Sequence, residues 1–182
     1  MRRRLCLVGV GLLMLSGCGE DPAPAEPLGP APKVVRLPAS AAGGACQLLE
    51  YQVVEQAIGT QFEVSAASRH GRTDTCVLRA EAAARPELAL SVTPTTADTA
   101  IFADEVVPSG GKSVKGLGKA AYQSAVAAAK GSGIGVEVGW LTGDKRLASL
   151  RYTFPTGADR ATADALTPKL VALAKKIDTS GR

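Results

Sequence analysis

Between Gly19 and Gly44 the chain reads GEDPAPAEPLGPAPKVVRLPASAAGG, a tract that holds six of its eleven prolines. It has few large apolar residues, so burial cannot offset the entropy of ordering it, and a semi-extended tether is expected. Where it is polyproline-like it rises about 3.1 Å per residue and can act as a spacer. A spacer is the simpler reading than a proline-rich ligand for a partner domain. The tract divides the chain. Whatever packs a core must come from about 45–179, the size of one domain, and the residues before the tract need a separate account.

Those residues begin with Arg2, Arg3 and Arg4, followed by the eleven-residue run LCLVGVGLLML ending at Leu15. A basic start and a short apolar run form a secretory signal pattern. A membrane-spanning helix takes about 20 apolar residues, and a core helix would carry a polar face, which this run lacks. The run closes on Leu15-Ser16-Gly17-Cys18, which resembles the bacterial lipobox. The resemblance implies that the Cys18 thiol takes a diacylglycerol and that cleavage leaves Cys18 as the new N-terminus. The rival is cleavage near Ser16 or Gly17 with a free thiol. Acyl chains contribute roughly 0.8 kcal/mol per buried CH2, and two or more chains hold where one is marginal. The expected organisation is a signal peptide over 1–17, a lipidated cysteine and tether over 18–44, and a single extracytoplasmic domain over 45–179.

Of the four cysteines, Cys6 leaves with the signal and Cys18 is alkylated. Cys46 and Cys76 remain, in an oxidising compartment, and are expected to pair. Closing a loop of about 30 residues contributes roughly 3–4 kcal/mol by constraining the unfolded chain. Two buried free thiols are the alternative. Without Arg2, Arg3 and Arg4 the 21 Lys and Arg become 18 against 17 Asp and Glu, so the formal charge falls from +4 to +1. The basic balance belongs mostly to the signal, and a nucleic-acid partner is excluded.

Within the domain, CQLLEYQVVEQAIG reads as a helix with Leu49, Val53 and Ile58 on its apolar face, beside Leu48, Val54 and Ala57, and Gly59 as left-handed cap. Strand-like runs follow at 62–66, 75–81 and 87–93, with ARPE a plausible turn between the last two. A short helix is expected over 96–105, before Pro108. The Gly-rich SGGKSVKGLGKA leads into a run at 122–128. Ile134, Val136, Val138 and Trp140 then alternate, and TGDK turns the chain into 146–154, the clearest hairpin in the sequence. A last helix spans 159–177, with Leu166, Leu170, Leu173 and Ile177 on one stripe. Pro168 implies a kink, or a fresh start capped by Thr167. This order predicts an α+β fold, an antiparallel sheet of about six strands backed by N- and C-terminal helices and pinned by one disulfide.

CQLLEYQVVEQAIG, a second Cys some thirty residues on, the GLG-led segment, the Trp-bearing hairpin and the Ala/Leu-rich last helix together resemble a known family. It comprises actinobacterial cell-envelope lipoproteins that carry a domain of unknown function with a C-x-L-L opening. The resemblance covers the whole mature domain and implies an envelope location without an activity. It departs at Val77, which follows Cys76 where the family usually has Trp.

The chemical motifs are weak. PSGGKSVKG echoes a P-loop, but Val106 stands where the first Gly is required. Ser109 and Lys112 form S-x-x-K without the partner motifs of the penicillin-binding set. GSGIG follows no βαβ unit, so no dinucleotide site is supported. His70, the lone histidine, sits in the polar SRHGR. Asp104 and Glu105 are neighbours that point apart, and Glu81 and Glu87 flank a turn; neither makes a glycosidase pair. Two cysteines and one histidine make a poor zinc site. No metal or cofactor is expected.

Tyr122, Trp140, Arg151 and Tyr152 remain, on three strands that could adjoin. Core packing is the simpler account of Trp140 and Tyr152; facing a groove, the four would anchor a ligand or partner. Lys112, Lys115 and Lys119 read as solvated loop residues or as contacts for anionic lipid or wall polymer. The expectation is a membrane-anchored, non-enzymatic binding module for an envelope protein or a small apolar ligand. An envelope-acting serine hydrolase using Ser109 with Lys112, or a serine near His70, is the alternative.

Overall fold

A computed structural model describes residues 36–177. Cys6, Cys18, the signal run and most of the proline tract lie outside the described residues. The alternating hairpin forms as its pattern predicts: strand β6, Gly135–Leu141, runs antiparallel to β7, Arg146–Thr153. Thr142 closes it, its amide donating to the Arg146 carbonyl at 2.8 Å and its Oγ1 accepting from the Arg146 amide at 2.9 Å.

The remaining strands are β1 (Val64–His70), β2 (Thr73–Ala80), β3 (Ala83–Pro94), β4 (Lys112–Ser113) and β5 (Ala120–Val126). All join one seven-stranded antiparallel sheet in the order β1-β2-β3-β7-β6-β5-β4. The first three strands form one meander and the last four another, and the two meet where β3 pairs β7. The seventh strand is the two-residue β4 at one edge, too short to leave a period-2 signature.

Helices α1 (Tyr51–Ile58) and α3 (Arg160–Ile177) cover one side. Their stripes meet the sheet as expected: Val54, Ile58, Leu166, Leu170, Leu173 and Ile177 are buried with Leu88, Leu90, Val138 and Leu150 in one core. Cys46 and Cys76 are bonded, with Cα atoms 4.8 Å apart and no exposed surface. The disulfide ties the chain before α1 to the second strand.

Four local expectations change. The first helix does not run from Cys46: Gly44–Leu48 is a 3₁₀ turn, and the chain is extended at Leu49 before α1 begins. Leu49 and Glu50 both hold extended backbone, which breaks the helical hydrogen-bond ladder between Cys46 and α1. Gly59 does supply the left-handed cap, at φ 75°, with its amide on the Glu55 carbonyl.

Ordered packing also starts before 45. Ala39–Ala42 is a 3₁₀ turn, Ala39 is fully buried, and Ser65 Oγ donates to the Ala39 carbonyl at 3.3 Å. The small side chains that make this stretch look like a spacer let it lie close against β1. ARPE is not a turn, because the chain reverses earlier, between β2 and β3, and Pro86 lies inside β3. Pro86 has no partner in either ladder, so its missing N–H costs no sheet hydrogen bond. Finally, α3 runs on through Pro168. Thr167 does not cap a new helix; its hydroxyl donates backward to the Ala163 carbonyl at 2.9 Å.

Candidate binding cleft

The side of the sheet away from α1 and α3 carries a second, smaller apolar cluster of Phe102, Tyr122 and Leu141. Its roof begins at Asp98, whose Oδ1 accepts from the amides of Ala100 and Ile101, both at 2.9 Å. That cap starts the three-residue helix α2, Thr99–Ile101, which widens into a π-turn over Phe102–Val106. The Val107 amide closes the turn on the Phe102 carbonyl at 3.1 Å. Phe102 is thereby turned inward, its ring centroid 5.9 Å from that of Tyr122.

The facing wall is the Gly-rich segment, held to the sheet by backbone bonds. The Val114 amide donates to the Ala121 carbonyl at 2.9 Å and the Lys119 amide to the Leu141 carbonyl at 2.7 Å, while the Gly111 amide closes a local turn on the Pro108 carbonyl at 2.8 Å. Gly118 adopts φ +53°, and a Cβ there would collide with the Leu141 carbonyl. Only glycine lets this wall lie flat on β6. Between the walls is an open cleft of about 590 Å³, lined among others by Phe102, Val107, Leu117 and Tyr122, with Lys115 and Lys119 at its sides. That volume is within the range of small-ligand sites, roughly 300–1,000 Å³.

Tyr122 is held at the floor. Its ring lies over Gly139, where any Cβ would overlap it. Its hydroxyl donates to Glu137 Oε1 at 2.6 Å, and Arg151 Nε donates to Glu137 Oε2 at 2.7 Å. Burial first, and then the Glu137 carboxylate, push the Tyr122 phenol well above its ordinary range. It therefore stays a protonated donor and is no nucleophile at neutral pH.

The four residues singled out in the sequence do lie on adjoining strands, β5, β6 and β7, but they divide between the two sides. Trp140 and Tyr152, 1% and 5% exposed, are packed in the main core and face no groove. Tyr152 meets Phe62 and Phe154 edge-on, and its hydroxyl lies 3.1 Å from Thr60 Oγ1. Strand parity decides this: Tyr152 and Arg151 are consecutive and must point to opposite sides. Tyr122 and Arg151 share the other side and meet through Glu137.

Sequence reading missed Glu137, Phe102 and Leu117. Glu137 had a signal, as the one acid in IGVEVGW, on the opposite parity to the alternating apolar residues. The lysines also separate, since Lys115 and Lys119 line the cleft and Lys112 lines a different, smaller hollow beside Arg160.

The residues considered for hydrolysis are not assembled. His70 ends β1 at an exposed hairpin, and Ser109 and Lys112 are both exposed. Among the described residues no hydrogen bond links a serine to His70 or Lys112, and no group of three metal-ligating side chains occurs. No family model, curated protein or solved structure matches this chain.

Proposed function

We propose that this chain is a membrane-anchored, extracytoplasmic lipoprotein, akin to the actinobacterial envelope family it resembles, whose domain binds a ligand without transforming it. The cleft beside Tyr122 is its binding site. The observation that carries the binding reading is the construction of that cleft. Two walls are fixed by backbone hydrogen bonds around an apolar floor, and the one tyrosine hydroxyl in it is engaged by Glu137. No histidine or carboxylate is among its lining residues to serve as a general base.

The anchor rests on Leu15-Ser16-Gly17-Cys18 behind a basic, apolar leader. The Cys46–Cys76 bond supports an oxidising compartment, since structural disulfides are rare in the cytosol. No helix among the described residues is long and apolar enough to cross a membrane.

Two measurements test the proposal. A clickable fatty acid should label the wild-type chain and not Cys18→Ser; equal labelling of both removes the anchor. A serine-directed fluorophosphonate should leave the protein unlabelled. Labelling that disappears in Ser109→Ala would replace binding with hydrolysis.

A further inference from the structure

We infer that the cleft takes a single-chain amphiphile with an anionic head group, a proposal that rests on the cleft being the binding site. The first observation is how charge is distributed. Arg69, Arg79, Arg85, Arg146, Arg151 and Arg160 each pair with an Asp or Glu. No described lysine forms such an ion pair, and Lys115 and Lys119 are the two that line the cleft.

Nearby acids do not neutralise this end. Asp104 and Glu105, exposed on the π-turn, are not lining residues of the cleft. Lys119 also borders an adjoining hollow of about 330 Å³, together with Lys145 and Asp98. Asp98 Oδ1 is already committed to the two amides it caps.

The second observation is the apolar floor. Phe102, 2% exposed, and Tyr122, 5% exposed, form this floor with Val107 and Ala120 packed against them, while Leu117 and Val114 line the opposite wall and pack toward the main core. A free inorganic anion would use the amines and leave that surface wet. A neutral apolar molecule would use the floor and leave the amines without a partner. An alkyl chain ending in a phosphate or carboxylate uses both, with the chain along Phe102, Val107 and Tyr122 and the head between Lys115 and Lys119. Amines held near an anionic group attract it, and the attraction weakens with salt.

The test uses the mature chain from residue 18 with Cys18→Ser, so that no acyl anchor of its own competes. The probes are dodecyl phosphate, dodecyl maltoside and inorganic phosphate, the amphiphiles below their micelle concentrations. Amide chemical shifts report the site. Dodecyl phosphate should move residues 114–122 saturably and bind more tightly than dodecyl maltoside, and inorganic phosphate should bind far more weakly than either. Replacing Lys115 and Lys119 with Gln should weaken dodecyl phosphate about 25-fold, roughly fivefold for each amine, and leave dodecyl maltoside unchanged. Ala103→Trp, at an exposed lining position, should weaken both amphiphiles without unfolding the domain.

Equal binding of the two amphiphiles, indifferent to the lysine changes, overturns the anionic head and leaves the cleft as a binding site. Inorganic phosphate binding as tightly as dodecyl phosphate overturns the amphiphile. Saturation with no shift at residues 114–122 by any probe, in a chain whose spectrum is folded, removes both this inference and the cleft itself.

Discussion

The two sides of the sheet are built from the same strands and differ in almost every other respect. On the side facing α1 and α3, successive inward positions are large and dry: Leu88 and Leu90, Val136, Val138 and Trp140, Leu150 and Tyr152. One residue along, the cross-strand row on the other side reads Tyr122, Gly139, Ser149, Ser91 and Thr75. There the middle of the sheet is floored by small hydroxyl residues, Thr75 Oγ1 and Ser91 Oγ standing 3.2 Å apart. Only at the β5 end do large rings return, where Phe102 and Tyr122 roof the space above Gly139. The covered side supplies the burial that holds the fold together; the other side spends its one apolar patch on a cleft.

If that division is right, damage to the covered side should unfold the domain and damage to the cleft side should not. Trp140→Ala is expected to cost about 3–5 kcal/mol, as large-to-small changes in a packed core do, read as a fall in the denaturant midpoint. A loss under about 1 kcal/mol would mean the core is not centred there. Removing the disulfide with Cys46→Ala and Cys76→Ala together should cost roughly 3–4 kcal/mol. The same change in an already reduced protein should cost much less, and equal losses in both states would break the argument.

On the cleft side, Gly139→Ala drives a methyl into the Tyr122 ring, and overpacking of this kind costs about 1–3 kcal/mol. The Trp140 fluorescence should stay that of a buried indole; a red-shifted spectrum would show that the two sides are not separable. Tyr122→Phe removes one hydrogen bond while Arg151 still holds Glu137, so about 1 kcal/mol is expected. Its sharper signature is an alkaline absorbance titration. Wild type should show a phenol that ionises above the ordinary tyrosine range and that Tyr122→Phe lacks. Because that pKa is raised in the folded state, its stabilising effect is present below the ordinary range and lost as pH rises through the folded value.

The smallest effect is at acid pH and belongs to neither side. Asp74 beside Arg69, Asp144 beside Arg146 and Asp159 under Thr162 are all held below the ordinary carboxylate range. Their contribution is present above the unfolded value and lost as pH falls through the lowered folded values. Melting temperature should therefore decline gently on acidification, and Asp159→Asn should flatten the decline. A melting temperature flat to about pH 2 would remove any role for these three carboxylates.

The covered side was the legible one. Period-2 runs at Ile134–Trp140 and the 3–4 spacing of Leu166, Leu170, Leu173 and Ile177 announce buried faces directly. Even the disulfide followed from which cysteines were left. The cleft was not legible, for a physical reason. Its walls depend on backbone geometry at Gly111, Gly116 and Gly118 and on a π-turn that no side-chain period encodes. Its floor depends on which strand neighbours β5, which only the closed sheet decides. The seventh strand escaped for want of length, and the early packing of Ala39 because alanine reads equally well as spacer or core.

The Cys46–Cys76 bond also fixes where a mechanical load enters this domain. Tension applied to the chain ahead of residue 36 travels through the two short turns to Cys46 and crosses covalently into β2. The 29 residues between the two cysteines, including all of α1 and β1, lie off that covalent line. The edge strand cannot be peeled away from the N-terminal end. The pull meets β2, already flanked by β1 and β3, in the interior of the sheet.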